Sequence, residues 1–196
     1  MTRVRTSTLG TVAFVLCMLT ASCAPAMRVY VNPEADLAFY KKIAVLPFVD
    51  LTSGQAAPQV TRAFVTELII TNRYDIVQPE DFTSSLHRMG ILRQQDGTYD
   101  SEKLKSAATQ LGLTGIVRGS VSEHQMTHGQ GGDIPSVAFD AELVDVATGN
   151  IVWRSSITRR GKGRLSIIGN GTRSLARVTQ DACTELVARL KAKALK

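Results

Sequence analysis

The feature that most constrains the fold is a hairpin pattern between Val137 and Thr158. Every second residue from 137 to 143 is apolar, which is the period-2 pattern of a half-buried strand. Gly149 then interrupts the pattern in the sequence Ala-Thr-Gly-Asn, where a residue free to adopt positive φ permits a tight turn. Because an isolated hairpin is only marginally stable, we expect other elements to extend its sheet and cover one face. The inward face of the returning strand is predicted to consist of Trp153, Ser155 and Ile157.

Strand and helix patterns also flank this hairpin on both sides. Short apolar runs predict strands, and apolar stripes at helical spacing predict amphipathic helices. In chain order the elements are β-α-β-α-α-β-β-β-α, which predicts an α/β (α+β) fold with helices packed on a mixed sheet of about five strands. The predicted strands cover 43–49, 74–77, 116–123, 137–144 and 151–158, the predicted helices 60–72, 79–89, 101–111 and 173–193, and the predicted loops 90–100, 124–135 and 159–172.

Length and composition favour one folded domain. The chain has 196 residues, of which 44% are hydrophobic and 20% charged, values typical of a globular protein that buries a core. We interpret residues 41–196 as this single domain. Residues 23–40 contain Pro25 and Pro33 and little periodicity, so we interpret them as a lipidated N-terminus and tether, and residues 1–22 as a signal peptide.

The N-terminal segment has the features of a secretion signal. A short basic stretch precedes Leu9–Leu19, an apolar run of 11 residues that is too short to span a bilayer as a helix. It leads to Leu-Thr-Ala-Ser-Cys, which resembles the lipobox of bacterial lipoproteins, where the cysteine takes a diacylglycerol and an acyl chain such as palmitate. Cys23 is therefore the predicted lipidation site, and Ala24 after it favours the outer membrane by the same resemblance. The alternative is an ordinary secretion signal with an incidental cysteine.

The charge balance does not favour nucleic acid as a partner. The formal net charge is +6, and residues 1–22 contain two basic residues and no acidic one. Removal of that segment leaves 21 basic and 17 acidic residues, a net charge of +4. This mild excess allows contact with anionic lipid or glycan.

Five basic residues fall within eleven positions near two glycines, at the end of the predicted hairpin and in the loop after it. One interpretation is a surface that binds anionic phospholipid, glycan or an acidic partner protein. The other interpretation is a solvated loop with no binding role. The five residues are Arg154, Arg159, Arg160, Lys162 and Arg164.

No pattern in the sequence indicates catalysis, a metal site or a cofactor. His124 and His128 are separated by four residues, but they lie at a strand end and in a glycine-containing loop rather than on a helix. His87 lies outside any ligand motif. Cys183, the only cysteine after Cys23, borders the apolar face of the last predicted helix, which favours an inert thiol over a nucleophile. We therefore expect a non-enzymatic protein.

Three segments of the chain, in this order, resemble the curli-assembly lipoprotein (CsgG-like) family. The resemblance covers most of residues 41–190 and implies the fold more specifically than the function. Related exopolysaccharide-export and peptidoglycan-synthase-activating lipoproteins share this domain. The segments are Ile43–Asp50 (IAVLPFVD), Leu111–Glu123 (LGLTGIVRGSVSE) and Glu142–Trp153 (ELVDVATGNIVW).

The resemblance implies a periplasmic lipoprotein on the outer membrane that serves as an assembly or scaffold component of an envelope secretion or export machine. Its partners would be the membrane, through the lipid anchor, and envelope proteins, with a homo-oligomeric ring as one arrangement. The alternative is a monomeric lipoprotein that activates a peptidoglycan synthase. The loops 90–100 and 159–172 are too short to supply paired membrane strands of ~9–11 residues each, so we do not expect this chain to form a pore by itself.

Overall fold

The computed structural model describes residues 26–52, 54–129, 132–161 and 174–193. Within these ranges seven strands form one mixed sheet, and four helices pack on it. This confirms the predicted mixed α+β class, with two strands more than the sequence indicated. The strands are β1 (Ala26–Val31), β2 (Lys42–Val45), β3 (Val49–Asp50), β4 (Asp75–Val77), β5 (Gly115–Gly129), β6 (Gly132–Asp145) and β7 (Ile151–Arg160). The helices are α1 (Ala56–Ile70), α2 (Pro79–Arg88), α3 (Ser101–Gln110) and α4 (Leu175–Lys193).

The sheet has an antiparallel half and a parallel half. Its strand order is β1-β7-β6-β5-β2-β4, and the short β3 pairs with β5 beyond the end of β2. Neighbours from β1 to β5 are antiparallel, whereas β2 is parallel to both β5 and β4. The break between β2 and β3 falls at Pro47, which has no amide hydrogen to donate to a ladder.

The predicted hairpin is confirmed as β6 and β7, and its turn is fixed by one carboxylate. Asp145 accepts hydrogen bonds from the amide and the hydroxyl of Thr148, at 2.6 and 2.8 Å. Gly149 has φ +77°, the left-handed conformation that the turn requires. The other carboxylate oxygen of Asp145 accepts a 3.0 Å bond from the buried hydroxyl of Tyr40, which ties the turn to the segment before β2.

Two segments that were predicted to lack regular structure are strands. Residues 26–31, within the predicted tether 23–40, form β1 and pair with β7 along their whole length. The predicted loop 124–135 instead extends the β5–β6 ladder as far as the pair Gly129 and Gly132. Backbone pairing tolerates the polar and glycine residues there, and a register shift between Val121 and Glu123 reverses which side chains face the core. The sheet is therefore wider and longer than predicted.

Helices cover the sheet unequally on its two faces. α1 and α4 cover one face and bury a core that includes Trp153, Phe48 and Leu186. Trp153 is 0% exposed, which confirms its predicted inward orientation. On the other face, α2 and α3 pack only over the parallel half, around a second cluster that includes Phe82 and Ile116. Among the described residues, no helix covers the antiparallel half of this second face. No helix in the described ranges is long and apolar enough to cross a membrane.

Candidate functional site

A cleft lies on the second face of the sheet, beside the helices that cover its parallel half. Its floor is formed by the middle of β5, β6 and β7, and one wall is the loop 90–100 between α2 and α3. The cavity has a volume of about 280 Å³. Arg93 fixes the loop by donating to the carbonyl oxygens of Gly97, at 2.6 Å, and Phe48, at 3.4 Å. Apolar side chains line the wall, among them Tyr99, Leu104 and Ile151.

The floor of the cleft carries a row of alternating charges across three strands. The register places Glu142 of β6 between Arg118 of β5 and Arg154 of β7. Arg118 Nε lies 2.5 Å from one carboxylate oxygen of Glu142, and Arg154 Nε lies 3.6 Å from the other. A second carboxylate, Asp140, lies 3.6 Å from Arg154 and accepts a hydrogen bond from Ser120. These contacts link four charged side chains into one cluster.

Burial in this cluster differs between the acidic and the basic members. Glu142 is only 7% exposed, whereas the side chains of Arg118 and Arg154 are 47% and 55% exposed. The carboxylate of Glu142 therefore has a structural role, because removal of the arginines that pair with it would leave a buried charge without a partner. The two guanidinium groups keep donors available at the mouth of the cleft. A ligand or partner that presents a carboxylate or a carbonyl oxygen would match those donors.

A larger groove, of about 870 Å³, lies on the far side of the β2–β3 segment. It separates the start of α1 from α2 and is lined by both apolar and charged residues. Asp50 caps the start of α1 here, since its carboxylate accepts from the amides of Thr52 and Ala57 at 2.9 and 3.0 Å. Burial opposes ionisation of Asp50, but these bonds outweigh it and lower its pKa. The charge of Asp50 therefore stabilises the start of α1. Among the residues that the structure describes, the groove has no cluster of paired charges comparable to the one on the floor of the cleft.

The structure describes three of the five predicted basic residues, and these three lie in different environments. Arg154 belongs to the cleft. Arg159 faces α4, where it lies 2.7 Å from Glu185 and 3.8 Å from Asp181. Arg160 is exposed at the end of β7. Lys162 and Arg164, like the predicted lipidation site Cys23, lie outside the described residues.

The histidines and Cys183 occupy ordinary structural positions. His124 Nε2 lies 3.1 Å from the Thr179 hydroxyl of α4, and burial lowers the pKa of this histidine. His128 is exposed and contacts Asp133 across the β5–β6 hairpin. Cys183 is fully buried, and burial raises the pKa of its thiol. Across the described ranges no group of three or more histidine, cysteine or acidic residues is placed to bind a metal ion.

The sequence analysis missed three members of the charged cluster: Arg118, Asp140 and Glu142. A signal was present, because Asp140 and Glu142 occupy the outward positions of a strand that alternates strictly. Their partners on β5 and β7 could be assigned only from the strand register. It is this register that places Glu142 directly across from an arginine on each neighbouring strand.

The mixed sheet, the unequal helical cover and the charged cleft define an α+β domain with an open sheet face suited to binding. The chain belongs to the LpoB family: the family model described as peptidoglycan-synthase activator LpoB matches residues 47–158, more than half of the chain. The matched range includes β5, β6, most of β7 and the whole charged cluster. This supports the activator branch of the resemblance seen in the sequence and does not support a CsgG-like assignment.

Solved structures share the fold at low sequence identity. The PelC dodecamer from Paraburkholderia phytofirmans is 19% identical, with a TM-score of 0.60 over 85% of this chain and 97% of that chain. Lipoprotein GNA1162 from Neisseria meningitidis is 14% identical, with a TM-score of 0.52 over 79% of this chain and 98% of that chain. At these identities the likeness shows the fold alone. No curated protein matches the chain.

Proposed function

We propose that this protein is a periplasmic lipoprotein that activates a peptidoglycan synthase by binding it, and that it catalyses no reaction itself. The observation that carries the proposal is the match of residues 47–158 to the activator family. This function is the alternative in the sequence analysis rather than its main interpretation. The open, charged sheet face within the matched range suits a binding role, since a protein partner needs accessible donors and acceptors at its contact surface.

The cleft is the part of this surface that we propose to contact the synthase. Arg118 and Arg154 border it, and arginine is enriched among the residues that contribute most to protein interfaces. The lining of the cleft also includes the apolar side chains of Tyr99, Leu104 and Ile151. This combination suits an acidic or carbonyl-rich segment of the partner that also buries one apolar side chain.

The test is stimulation of glycan polymerisation by a purified peptidoglycan synthase of the same bacterium. Wild-type protein should increase the rate, and Arg154→Ala should shift the half-maximal concentration upward by about tenfold, the loss expected of an interface arginine. Lys103→Ala is the matched control, because it removes one exposed charge from α3 and should leave stimulation unchanged. Absence of stimulation by the wild type would refute the activator function, whereas equal stimulation by both variants would refute only the cleft.

We also propose that Cys23 anchors the protein to the periplasmic face of the outer membrane. The basic segment, the apolar run and the cysteine that ends it support this, since two or more acyl chains give stable anchoring. Cys23→Ala should give an uncleaved or soluble form, detected by mass spectrometry and membrane fractionation. Unchanged acylation and fractionation would refute the assignment.

A second candidate function is the main interpretation from the sequence, a scaffold component of an envelope secretion or export machine. The fold shared with the PelC dodecamer favours it, because that neighbour assembles twelve copies. The two functions differ in oligomeric state. Mass measurement in detergent should give a single chain for the activator, and a ring of copies would support the export component instead.

A further inference from the structure

The first strand begins at one end of the sheet, close in sequence to the proposed anchor. β1 is antiparallel to β7, with Ala26 opposite Thr158, so β1 begins where β7 ends. Cys23 precedes Ala26 by three residues, and three residues span at most about 10 Å. A lipid on Cys23 would therefore keep this end of the sheet close to the bilayer surface. We call it the β1 end, as opposed to the β6–β7 turn at the other end of the sheet.

The β5–β6 hairpin projects in the same direction. The last pair between β6 and β7 joins Ser136 to Arg160, but the β5–β6 ladder continues for four more pairs. At ~3.3 Å per residue the hairpin reaches roughly 13 Å beyond the end of β7. The three-residue link starts at Ala26, opposite Thr158 and two positions before the end of β7, so Cys23 reaches at most roughly 3 Å beyond that end. The tip of the hairpin would therefore extend roughly 10 Å further than the anchor, into the headgroup layer. Met126, an apolar residue that is 40% exposed, lies on the projecting part.

An exposed basic residue, Arg160, lies at the β1 end, on the open face of the sheet. Arg28 is exposed on the same face, but it lies opposite Ser156, roughly 13 Å from the end of β7. The acidic residues nearest to this end on the neighbouring strands are Glu123 and Asp133, and Asp133 contacts His128. Basic groups within a Debye length of an anionic surface, about 8 Å at physiological salt, are attracted to it.

The geometry points to the β1 end as the membrane-facing surface of this protein, placed against the bilayer by the short link to Cys23, with Arg160 contacting anionic phospholipid headgroups. The inference rests on the lipid anchor in the proposed function. It replaces the predicted tether 23–40 with a link of three residues. It also gives Arg160, one of the five basic residues of the sequence analysis, one ligand, the phospholipid surface, rather than glycan.

One consequence concerns the cleft. Arg154 lies six residues before Arg160 on β7, roughly 20 Å further from the bilayer at ~3.3 Å per residue. The cleft would then lie beside the sheet at that distance from the bilayer, and a synthase would have to approach the membrane to reach it. The predicted tether, by contrast, with 17 residues after Cys23 (24–40), would let the domain reach partners up to ~55–60 Å away.

The orientation is tested with the mature, lipidated protein, which lacks residues 1–22, in vesicles of phosphatidylethanolamine and phosphatidylglycerol. A thiol-reactive fluorophore is attached to Thr127→Cys at the β1 end or to Asn150→Cys at the β6–β7 turn, both exposed positions. Buried Cys183 does not compete for the label, and Cys23 is blocked by its lipid. The two labels are separated by roughly 35–40 Å along the sheet, so a lipid with a quencher on its headgroup should quench only the first strongly. Equal quenching, or stronger quenching of the second, would overturn the inference.

The headgroup contact is tested by removing one charge at either end. Arg160→Ser should lower quenching of the Thr127→Cys label by about twofold at physiological salt, and high salt should have the same effect on the wild type. The control, Lys41→Ser, removes one exposed charge away from the β1 end and should change nothing. Identical quenching of both variants would refute the headgroup contact. Weaker sedimentation of the Arg160→Ser variant with isolated peptidoglycan, but not with vesicles, would assign the arginine to glycan and refute it as well.

The failure of the inference and that of the proposed function are distinguishable. Mass spectrometry of the purified protein first establishes acylation of Cys23, which belongs to the proposed function. An acylated protein without the depth difference refutes the orientation alone. Stimulation of the synthase is measured separately and depends on neither label.

Discussion

Replacement of Trp153 by alanine should be among the most destabilising single changes in this protein. Its indole ring is fully buried in the core beneath α1 and α4, opposite Leu143 on β6 and Val31 on β1. Truncation would leave a cavity between three strands and their helices. The sheet cannot close over such a cavity without breaking its backbone ladder, so relaxation should recover little of the loss.

The magnitude follows from the environment of the ring. Truncation of a buried tryptophan to alanine costs about 3–5 kcal/mol. Trp153 Nε1 is buried and has no hydrogen-bond partner among the described residues, and such a group carries a desolvation penalty of about 1–3 kcal/mol. Trp153→Phe removes that penalty while it keeps most of the packing, so it should cost only about 1 kcal/mol. For a chain of this size 1 kcal/mol shifts Tm by about 2–4 °C, which gives a fall of roughly 6–20 °C for alanine and no more than about 4 °C for phenylalanine.

The assay is thermal and urea-induced unfolding of the purified wild type and both variants, followed by circular dichroism. The midpoint should fall steeply for alanine and slightly for phenylalanine, with little change in the urea m-value. A Tm for Trp153→Ala within 2 °C of wild type would show that the ring does not contribute to the core as the structure indicates, on a scale where ~2–4 °C is 1 kcal/mol. Equal loss in both variants would show instead that the indole N–H has a partner.

Three further predictions concern the hairpin sheet and its cover. Gly119→Ala should lower the free energy of unfolding by about 1–3 kcal/mol, since the added Cβ would lie too close to the Asp140 carbonyl oxygen. Gly54→Ala is the control: its added Cβ would lie 3.6 Å from the nearest atom, so the urea midpoint should change little. Burial opposes ionisation of Asp145, but hydrogen bonds from the amide and hydroxyl of Thr148 and from the Tyr40 hydroxyl outweigh it and lower the pKa of this carboxyl group. The ionised carboxylate therefore stabilises the fold above its unfolded-state pKa, and this stabilisation is lost as the pH falls through the folded-state pKa. Asp145→Asn should thus be less stable than wild type at neutral pH, and the gap in unfolding free energy should narrow below about pH 4; a constant gap would contradict this. Cys183 should react with thiol reagents only as the protein unfolds, because burial shields the thiol and raises its pKa, and rapid labelling of the native protein would contradict its placement in the core.

The sequence by itself determined the elements whose causes are local. Alternation from 137 to 143 and a glycine free to adopt positive φ specify the β6–β7 hairpin, and apolar stripes at helical spacing specify the four helices to within a few residues. The inward position of Trp153 follows from the same period of two. These features depend on neighbours within a few positions of the chain, so they are visible without knowledge of the fold.

Only the tertiary structure decided which strands and which charged side chains are neighbours. β1 is a strand because β7 offers it an open edge, although its own sequence shows no clear pattern. The segment 124–135 is paired because backbone hydrogen bonds extend a ladder regardless of polar side chains. The charged cluster joins Arg118, Glu142 and Arg154, residues up to 36 positions apart. Arg159, which was predicted to belong to a basic surface, instead forms ion pairs with α4. Each of these depends on the register of strands or on helix packing, which are non-local contacts that no short window of sequence contains.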